Sequence, residues 1–529
     1  MQEFDVIVVG GGSAGSAVAG RLSEDPARSV CLIEAGGTND DWRVKTPGMM
    51  PFLPDDTNWH YSTIPQKGLN GRMGHQPRGR GMGGSSAINA MLYIRGNSWD
   101  YDNWAAMGCT GWAYEDVLPY FKRSESNERG GDAFHGGDGP LSVSDQHSVN
   151  PGSKAFVESA ARLQMPLNED FNGARQAGFG IYQTTTKGGE RWTASRAYID
   201  PVRSRENLHV LTGALTEKLI VENGRVTGVR IQRGGETQTL RARGAVVLSA
   251  GAFGSPHILQ LSGIGPAEHL RYHSIDVVLD KPSVGENLQD HIDYVASFET
   301  RSRDFIGDSL TGTLKMARAM VEHRLRRTGI MTTPYAEAGG FWSADSDAPA
   351  PQIQYHFVPA MLEDHGREKV KGHGFSCHAC VLRPESKGSV RLKSNEPGDM
   401  PAIDPAFLED DRDIALLRAG VRQMYRIFET TPLAEYQMRD RHPVDLDDDD
   451  ALDEMLRDRS DTVYHPVGSC AMGPDDADVL TPRLKFRGLE GLYIADASVM
   501  PKIVSGNTNA PSIMIGERCA DFLREDLRG

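Results

Sequence analysis

The sequence predicts an α/β protein in which a parallel sheet and a second, mainly antiparallel sheet form two units. The run Val6–Val9 is β-branched and uninterrupted, as in a strand buried on both faces of a parallel sheet. Small and apolar residues follow it at helical spacing as far as Leu22. Later in the chain, another buried strand, Ala245–Leu248, precedes another glycine-rich turn and helix. Between residues 301 and 450, antiparallel strands are predicted from QIQYHFVPAM and FSCHACVLRPESKGSVRLKS.

Glycines directly after the first strand form the pattern G-x-G-x-x-G at Gly10, Gly12 and Gly15. Glycine at these positions lets the backbone approach a pyrophosphate at a helix N-terminus. A second strand, Val30–Ile33, leads into Glu34, 19 positions after Gly15. A dinucleotide site needs an acid at about this distance to accept from a ribose hydroxyl. The first unit is therefore predicted to be a Rossmann-like, dinucleotide-binding domain.

The same stretch also fits G-x-S-x-G, the nucleophile elbow of serine hydrolases, with Ser13 at its centre. An elbow normally follows a later strand and has an oxyanion loop upstream, whereas this pattern follows the first predicted strand. We therefore interpret Ser13 as a small residue beside a cofactor phosphate, and a serine hydrolase is the least favoured alternative.

Bulk composition excludes several classes of protein. With 529 residues, 39% hydrophobic and 24% charged, the chain is neither disordered nor collagen-like and should form more than one structural unit. The net charge of −15 argues against a nucleic-acid-binding surface. Six dispersed cysteines favour a reducing compartment. Cys377 and Cys380 form a C-x-x-C without a second pair, so we predict two buried strand cysteines and no metal site.

The chain has no apolar run that approaches the length of a membrane span, and we find no signal peptide before the first strand. We therefore expect a soluble, cytoplasmic protein, and peripheral membrane association stays open. The sequence does not indicate the oligomeric state.

Further elements are predicted along the chain. A helix is expected near Tyr114–Glu125, and a hairpin turns at Asn223-Gly224, which is a strong short-range hairpin signal. The helix after the second buried strand is expected to begin at about Ser255. The acidic run Asp445–Asp450 predicts a solvated turn that leads into a helix. A buried strand in GLYIADASVMP and a terminal helix in APSIMIGERCADFLRE return the chain to the first unit.

These elements predict a discontinuous arrangement of domains. The dinucleotide-binding domain is assigned residues 1–155, 205–300 and 455–529. The substrate-binding domain, with a mainly antiparallel sheet and helices, is assigned residues 156–204 and 301–454. The overall fold class is α/β, or α+β when both units are counted.

Motifs at four places in the chain are similar to those of one family. They are GGGSAG…IEAGG, RGRGMGGSSAINAM, GAFGSPHILQLSGIG, and the pair YHPVGSCAMG and ADASVMPKIVSGNTNAPSIMIGER. Their order along the whole chain resembles that of the glucose–methanol–choline (GMC) oxidoreductases, flavoproteins that oxidise alcohols. The choline-dehydrogenase-like alcohol dehydrogenase branch is the most similar. The resemblance implies FAD, in place of NAD, in the dinucleotide site.

The resemblance also implies which residues bind FAD. They are Ser13, Ala14, Glu34 and Ala35 at the pyrophosphate and ribose, the Thr216 backbone at the adenine, Met82, Ser86, Asn89, Ala90, Met91 and Leu92 at the flavin, and Asp496, Ala497 and Thr508 near the ribityl chain and pyrimidine ring. Some members of the family attach flavin covalently through a histidine in the first signature, where this chain has Ile88. An isoleucine cannot form that bond, so we predict non-covalent FAD.

Alcohol oxidation by flavin moves a hydride from carbon and a proton from oxygen, so a base that titrates near neutral pH is needed. The resemblance places this base at His465 in VYHPVG, where Pro466 restricts the backbone. The partner position, His or Asn in relatives, falls on Asn507 of SGNTNAP, whose amide can donate to the substrate oxygen. Asn509 is the alternative at this position, and both asparagines could simply hold a turn.

Two further residues are candidates for the substrate pocket. Tyr464 adjoins the base and could form a wall of the pocket, and Glu337 in PYAEAGGFW could face a cationic substrate. Recognition of choline needs aromatic residues around the ammonium as well as a carboxylate. These two residues alone do not indicate it, and a strand-end glutamate without a role in binding is the alternative for Glu337.

The sequence therefore predicts FAD-dependent oxidation of a primary alcohol to the aldehyde, with His465 as general base and Asn507 assisting. Electrons would pass to an acceptor other than NAD, such as a quinone or another carrier. An oxidase that uses O₂ stays open, because access beside the flavin decides between the two. A hydroxynitrile-lyase-like enzyme without net redox chemistry is an alternative from another class. A flavin-binding protein without catalysis is disfavoured by the presence of both residues.

Overall fold

The computed structural model describes residues 2–528, apart from the side chain of His365. Within this part of the chain, two large sheets organise the fold, one of seven strands and one of eight. Each sheet packs into a large hydrophobic cluster of its own. The α/β fold class predicted from the sequence is confirmed.

The first sheet is mostly parallel. Its strands, in spatial order, are Leu208–Leu211, Val30–Ile33, Gln2–Val9, Glu236–Leu248, Arg225–Arg233 and Ala214–Glu222, and Leu492–Ile494 pairs with the end of Glu236–Leu248. Glu236–Leu248 lies parallel to Gln2–Val9 and to Leu492–Ile494, but antiparallel to Arg225–Arg233. The predicted hairpin is confirmed: Asn223 and Gly224 have φ angles of 50° and 77°, as a type I′ turn requires.

The second sheet is antiparallel in its main path. Its strands, in spatial order, are Arg439–Asp440, Ile292–Thr300, Gly372–Val381, Ile353–Val358, Ala338–Trp342 and Gly178–Ile181, with Gly307–Asp308 beside Gly372–Val381 and Asp461–Thr462 beside Ile292–Thr300. The predicted strands in QIQYHFVPAM and FSCHACVLR are confirmed, and they pair with each other. The strand Ser389–Arg391 leaves this sheet and pairs with Ala402–Asp404 instead.

Sheet membership differs in part from the predicted division into domains. Ile292–Thr300 and Asp461–Thr462 lie in the second sheet, although the division assigned both to the dinucleotide-binding domain. Conversely, Ala194, Ala197 and Tyr198 pack into the hydrophobic cluster of the first sheet. The chain therefore crosses between the two units more often than composition indicated.

Four more pairs of short strands lie outside the two large sheets. They are Tyr61–Ser62 with His75–Gln76, Glu125–Asn127 with Leu141–Val143, Thr186–Lys187 with Glu190–Arg191, and Ile264–Gly265 with Leu279–Asp280.

Twelve α-helices occur between residues 2 and 528. They are α1 Ser13–Leu22, α2 Trp42–Lys45, α3 Ser98–Ala106, α4 Tyr114–Ser124, α5 Pro151–Arg162, α6 Ala194–Tyr198, α7 Gly251–Leu261, α8 Ala267–Tyr272, α9 Leu310–Arg326, α10 Asp411–Phe428, α11 Asp449–Arg459 and α12 Asn509–Asp526. Short 3₁₀ helices span Pro47–Phe52, Asp55–Thr57, Lys67–Leu69, Gly84–Ala87, Asp200–Val202, Ile330–Thr332, Asp364–Gly366, Leu433–Tyr436 and Ala497–Val499. Among the described residues, none of the helices has the length and hydropathy needed to cross a membrane.

Helix α7 begins at Gly251, four residues before the predicted start at Ser255. The cause is a cap from a distant part of the chain. One carboxylate oxygen of Asp496 accepts hydrogen bonds from the Gly251 amide at 2.9 Å and from the Ser255 hydroxyl at 2.6 Å. Local sequence could not reveal a cap supplied from 245 residues away.

Helix α11 confirms the prediction for the acidic run. Asp448 caps it, because its carboxylate accepts from the backbone amides of Asp450 and Ala451. The cysteines of the C-x-x-C are both buried on the strand Gly372–Val381. The described residues contain no group of three or more His, Cys, Asp or Glu side chains placed to hold a metal ion.

Candidate active site

One cavity of about 1270 Å³ extends from the glycine-rich loop of the first sheet to the face of the second sheet. Its volume exceeds the ~300–1,000 Å³ of ordinary small-molecule pockets, so it has room for a cofactor and a substrate together. Gly10, Glu34, Ser249 and Asp496 line it, and each follows the carboxyl end of a parallel strand. Ligands of open α/β sheets bind at this edge.

Helix α1 presents an anion site to the cavity. Its N-cap is Gly12, no side chain caps its first amides, and its first turn holds no acidic residue. Gly12, Ser13 and Ala14 line the cavity. Free backbone N–H groups and the positive end of the helix dipole favour a phosphate at this position. These residues therefore fit the pyrophosphate of FAD.

The glycines of the loop are required by close packing. A Cβ on Gly10 would lie 2.3 Å from the Ser249 carbonyl oxygen, and Gly10 has a φ of +107°. A Cβ on Gly15 would lie 1.9 Å from the Gly10 carbonyl oxygen. No side chain larger than hydrogen fits at either position without movement of the backbone.

Glu34 organises two loops at once. Its carboxylate accepts from the amides of Gly11 at 2.8 Å, Gly36 at 2.9 Å and Gly81 at 2.9 Å. A carboxylate has about four acceptor sites, so one is left for a ribose hydroxyl. The hydroxyls of Thr216 and Ser249 are buried without a hydrogen-bond partner, and both residues line the cavity. Such unsatisfied groups fit a polar ligand at this end of the cavity.

Most of the residues predicted to bind FAD line the cavity. They are Gly10, Gly12, Ser13, Ala14, Glu34, Ala35, Asn89, Ala90, Met91, Leu92, Thr216, Asp496, Ala497 and Thr508. Gly15, Met82 and Ser86 do not line it. The Ser86 hydroxyl donates to the Gly83 carbonyl at 2.6 Å and accepts from the Ala194 amide at 3.0 Å. The Ser86 side chain therefore stabilises the loop that contains it through these two hydrogen bonds. Its neighbours Ser85 and Ile88 line the cavity.

His465 and Asn507 meet at the other end of the cavity, although 42 residues separate them. Asn507 Nδ2 lies 3.1 Å from His465 Nε2. Gln354 donates to Asn507 Oδ1 at 3.2 Å and thereby fixes the orientation of the amide. Asn509, the alternative partner, instead accepts from the Ser13 hydroxyl at 2.7 Å, beside the glycine loop. The geometry therefore favours Asn507 as the partner of the histidine.

A chain of hydrogen bonds defines the tautomer of His465. His291 Nε2 lies 3.0 Å from the Leu382 carbonyl oxygen, which can only accept, so this nitrogen carries the proton. Burial lowers the pKa of His291 to about 4, so the ring is neutral and its Nδ1 is an acceptor. His465 Nδ1 lies 3.0 Å from it and must donate. His465 Nε2 is therefore unprotonated and accepts from Asn507.

Electrostatics keep this nitrogen free of a proton. Burial, together with His291 and His356 nearby, lowers the pKa of His465 well below its ordinary value of 6.5. The loop that carries His465 is held by Asp290, whose carboxylate accepts from the His465 amide at 2.8 Å and from the Thr462 hydroxyl at 2.6 Å. Burial raises the pKa of Asp290 to about 6.

Of the two residues predicted to line the substrate pocket, Tyr464 and Glu337, only Tyr464 lines the cavity. Tyr464 lines the cavity and has a left-handed φ of +74° directly before His465. Glu337 does not line the cavity, so the structure does not support a role in binding a cationic substrate. Its carboxylate accepts from the Asn150 amide at 2.7 Å and from the hydroxyls of Ser153 at 2.8 Å and Thr333 at 2.7 Å. It anchors the start of helix α5 instead.

Sequence reasoning missed several histidines and an aspartate of the site. Asp290 and His291 stand together in NLQDHID, directly before a strand, and that polar pair was the available signal. His356 and His378 are partners on adjacent antiparallel strands, and both line the cavity. Their register across the second sheet is a tertiary feature that the sequence alone does not provide.

Helix α12 also opens onto the cavity. Its N-cap, Thr508, makes no capping hydrogen bond through its side chain, and its first turn holds no acidic residue. Thr508, Asn509 and Ser512 line the cavity. The positive end of this helix therefore stabilises negative charge close to His465 and Asn507.

Comparison with known proteins assigns the family. Profiles of the GMC oxidoreductase family match residues 4–293 and 384–516. The chain is 41% identical to an alcohol dehydrogenase [acceptor] of Pseudomonas putida, over 98% of this chain and 95% of that one. It is also 41% identical to an oxygen-dependent choline dehydrogenase of Burkholderia pseudomallei, over 99% and 94% of the two chains.

Solved structures agree with this family. Pyridoxine 4-oxidase from Mesorbium loti superposes with a TM-score of 0.90 at 31% identity, over 99% of both chains. A variant of formate oxidase from Aspergillus oryzae, studied for FAD modification, superposes with a TM-score of 0.92 at 26% identity, over 100% of this chain and 99% of that one. Together with the anion site and the paired His465 and Asn507, these matches show that the chain belongs to the GMC oxidoreductase family and is an FAD-dependent oxidoreductase acting on CH–OH donors.

Proposed function

We propose that the protein oxidises an uncharged primary alcohol with an apolar chain to the aldehyde. The observation that supports this most directly is the relay from His291 to His465, which leaves His465 Nε2 unprotonated 3.1 Å from Asn507 Nδ2. A hydroxyl that displaces this hydrogen bond and lies beside both nitrogens would meet one base and one donor. This pair is what removal of a proton from an alcohol requires.

Each residue of this group has its own role in the reaction. His465 Nε2 takes the hydroxyl proton, and the resulting imidazolium is held through its Nδ1–H by His291. The Asn507 amide donates to the substrate oxygen while negative charge develops there. FAD supplies the acceptor for the hydride that leaves the carbinol carbon. The electrons then pass to an acceptor other than NAD, a quinone or another carrier, and we favour a dehydrogenase over an oxidase.

The cavity wall away from the flavin residues supports an apolar substrate. Its lining includes Val358, Met316, Met320, Met331 and Leu362. Methionine side chains adapt to alkyl and aromatic groups of different shape. Glu337 does not supply a carboxylate for an ammonium group, because its side chain accepts hydrogen bonds at the start of helix α5.

We also propose that FAD is bound non-covalently. Ile88 lines the cavity at the position where some members of the family have a histidine that bonds to the flavin. Its aliphatic side chain offers no nucleophile. Denaturation should therefore release free FAD into the supernatant, and flavin that stays with the precipitated protein would contradict this point.

The test of the proposed function is the anaerobic visible spectrum of the FAD-loaded protein with a panel of alcohols. Straight-chain primary alcohols of increasing length and benzyl alcohol should bleach the oxidised flavin, with the aldehyde as product. Choline should do so less efficiently, because Glu337, the carboxylate considered for an ammonium group, is held by hydrogen bonds away from the cavity. Efficient bleaching by choline alone would reject the proposed substrate class. A flavin that no alcohol bleaches would reject the oxidation and favour a non-redox reaction.

The pH dependence of flavin reduction follows from the state of His465. A base must be unprotonated, and the pKa of His465 is lowered, so the active form persists through neutral and alkaline pH. The reduction rate should therefore be constant above pH 6.5 and should fall only at more acidic pH, where His465 gains a proton. Rapid-mixing measurements over a pH series check this. A rate that falls as pH rises from neutral would contradict the assignment.

A further inference from the structure

Helix α9 exposes a line of large apolar side chains that have no part in the catalytic mechanism. Leu310 is 89% exposed, Leu314 72%, Val321 60% and Leu325 77%. Their separations of four, seven and four residues put them on one face of the helix. We call these four residues the outer stripe, and at ~1.5 Å per residue it is about 22 Å long.

The opposite face of α9 is anchored to the protein. Gly312, Ala319 and His323 are buried, and Ala319 packs in a cluster with Met49 and Met331. His323 Nε2 lies 2.9 Å from the Gly189 carbonyl oxygen. The inner face of the helix therefore packs against the protein, and the outer stripe faces solvent.

Charge on α9 differs in sign from charge on the chain as a whole. The helix carries Lys315, Arg318, Arg324 and Arg326 against one acidic residue, Glu322, whereas the chain has a net charge of −15. At 100° per residue, Arg318 and Arg324 flank the outer stripe, one on each side, and both are exposed. An apolar face with basic flanks is the pattern of a helix that lies in a membrane interface.

Aromatic side chains lie next to this surface. Trp42 is 53% exposed and lines a cleft together with Val321 and Leu325. Phe52 is 54% exposed and lines the catalytic cavity, as does Met320 of α9. Trp and Phe beside a basic amphipathic helix are typical of protein surfaces that insert into the boundary between lipid headgroups and acyl chains.

A second copy of this chain fits the surface less well. Apposition of two outer stripes would bring together two helices that each carry four Lys or Arg residues and one Glu, and like charges repel. An anionic lipid surface complements both the apolar outer stripe and its basic flanks. Acyl chains would surround the apolar side chains, and lipid phosphates would pair with the guanidinium groups.

We propose that α9 docks the protein onto the surface of an anionic lipid bilayer. The outer stripe lies at the boundary of headgroups and acyl chains, and Arg318 and Arg324 lie beside lipid phosphates. Thr313, Met316 and Met320 of the same helix line the cavity that contains His465. Docking therefore places this wall of the cavity next to the bilayer, from which an apolar alcohol or electron acceptor can enter. The docking itself does not depend on which alcohol is oxidised.

The test is co-sedimentation of the full-length, FAD-loaded protein with vesicles. Wild-type protein should bind vesicles of phosphatidylcholine with phosphatidylglycerol at least about ten-fold better than pure phosphatidylcholine, and high salt should weaken this binding. The double variant Leu314→Glu, Val321→Glu should lose about ten-fold in binding, because two charges replace apolar contacts. Both positions are exposed, so its FAD content and its oxidation of a water-soluble alcohol should match the wild type.

Matched variants show whether the outer stripe and its basic flanks are what bind the vesicles. Tyr272→Glu changes another exposed apolar residue, 82% exposed on α8, and should bind vesicles as the wild type does. Arg318→Glu with Arg324→Glu should abolish the preference for phosphatidylglycerol. Absence of vesicle binding by the wild type, or equal binding by the double variant, would overturn the proposal. So would a dimer in solution, without vesicles, that the double variant dissociates, since the stripe would then bind a second copy.

Discussion

His465→Gln should slow the reduction of flavin by alcohol about 10²–10⁴-fold. Glutamine retains a polar side chain of moderate size, but its amide cannot take a proton from a hydroxyl near neutral pH. His291 and the Asn507 amide would remain in the variant, but no group between them could take the hydroxyl proton. Rapid mixing of the oxidised enzyme with alcohol under anaerobic conditions measures the rate directly.

The control for this variant is His269→Gln. His269 is partly buried on α8, accepts from the Leu392 amide at 3.0 Å and does not line the cavity. Its reduction rate should equal that of the wild type. Both variants should retain FAD, because neither residue lies at the glycine loop. An His465→Gln enzyme that reduces flavin as fast as the wild type would remove His465 from the mechanism.

Gly10→Ala should abolish tight binding of FAD and destabilise the fold. The added Cβ would lie 2.3 Å from the Ser249 carbonyl oxygen, and the φ of +107° is unfavourable for alanine. Backbone strain and overpacking cost about 1–3 kcal/mol each, so a loss of about 2–6 kcal/mol in the free energy of unfolding is expected. Flavin absorbance per protein after desalting, together with the melting temperature, measures both effects.

Gly37→Ala is the matched comparison for this variant. Gly37 lies in the neighbouring loop, a Cβ there would meet no atom within 4 Å, and its φ is not in the left-handed region. It should bind FAD and melt as the wild type does. If Gly10→Ala also retained FAD and its melting temperature, the close packing of the glycine loop would not be what forms the site.

Local patterns predicted the parallel sheet and the glycine loop well. The strand Val30–Ile33 has the predicted bounds, and Glu34 follows it at the edge of the cavity. These features depend on short stretches in which strand, turn and helix signals agree. The positions of His465 and Asn507 came from a resemblance to a family, and the distance between them could be obtained only from the folded chain.

Other parts of the site depend on contacts between distant segments. His291 reaches His465 because the strand that follows Asp290 joins the second sheet. Glu337 was a candidate for the pocket because it precedes a strand, yet hydrogen bonds from the start of α5 turn its carboxylate away. Sequence patterns identify a polar residue beside a strand, but they do not specify on which face of the sheet its side chain lies.

In the proposed mechanism His465 removes the hydroxyl proton, and FAD, when bound, would supply the acceptor for the hydride of the carbinol carbon. The most direct test compares anaerobic flavin reduction by an alcohol and by the same alcohol with deuterium on the carbinol carbon. We expect complete bleaching with both and a slower rate with deuterium, because the C–H bond breaks in this step. Equal rates, or a flavin that stays oxidised with either alcohol, would contradict this mechanism.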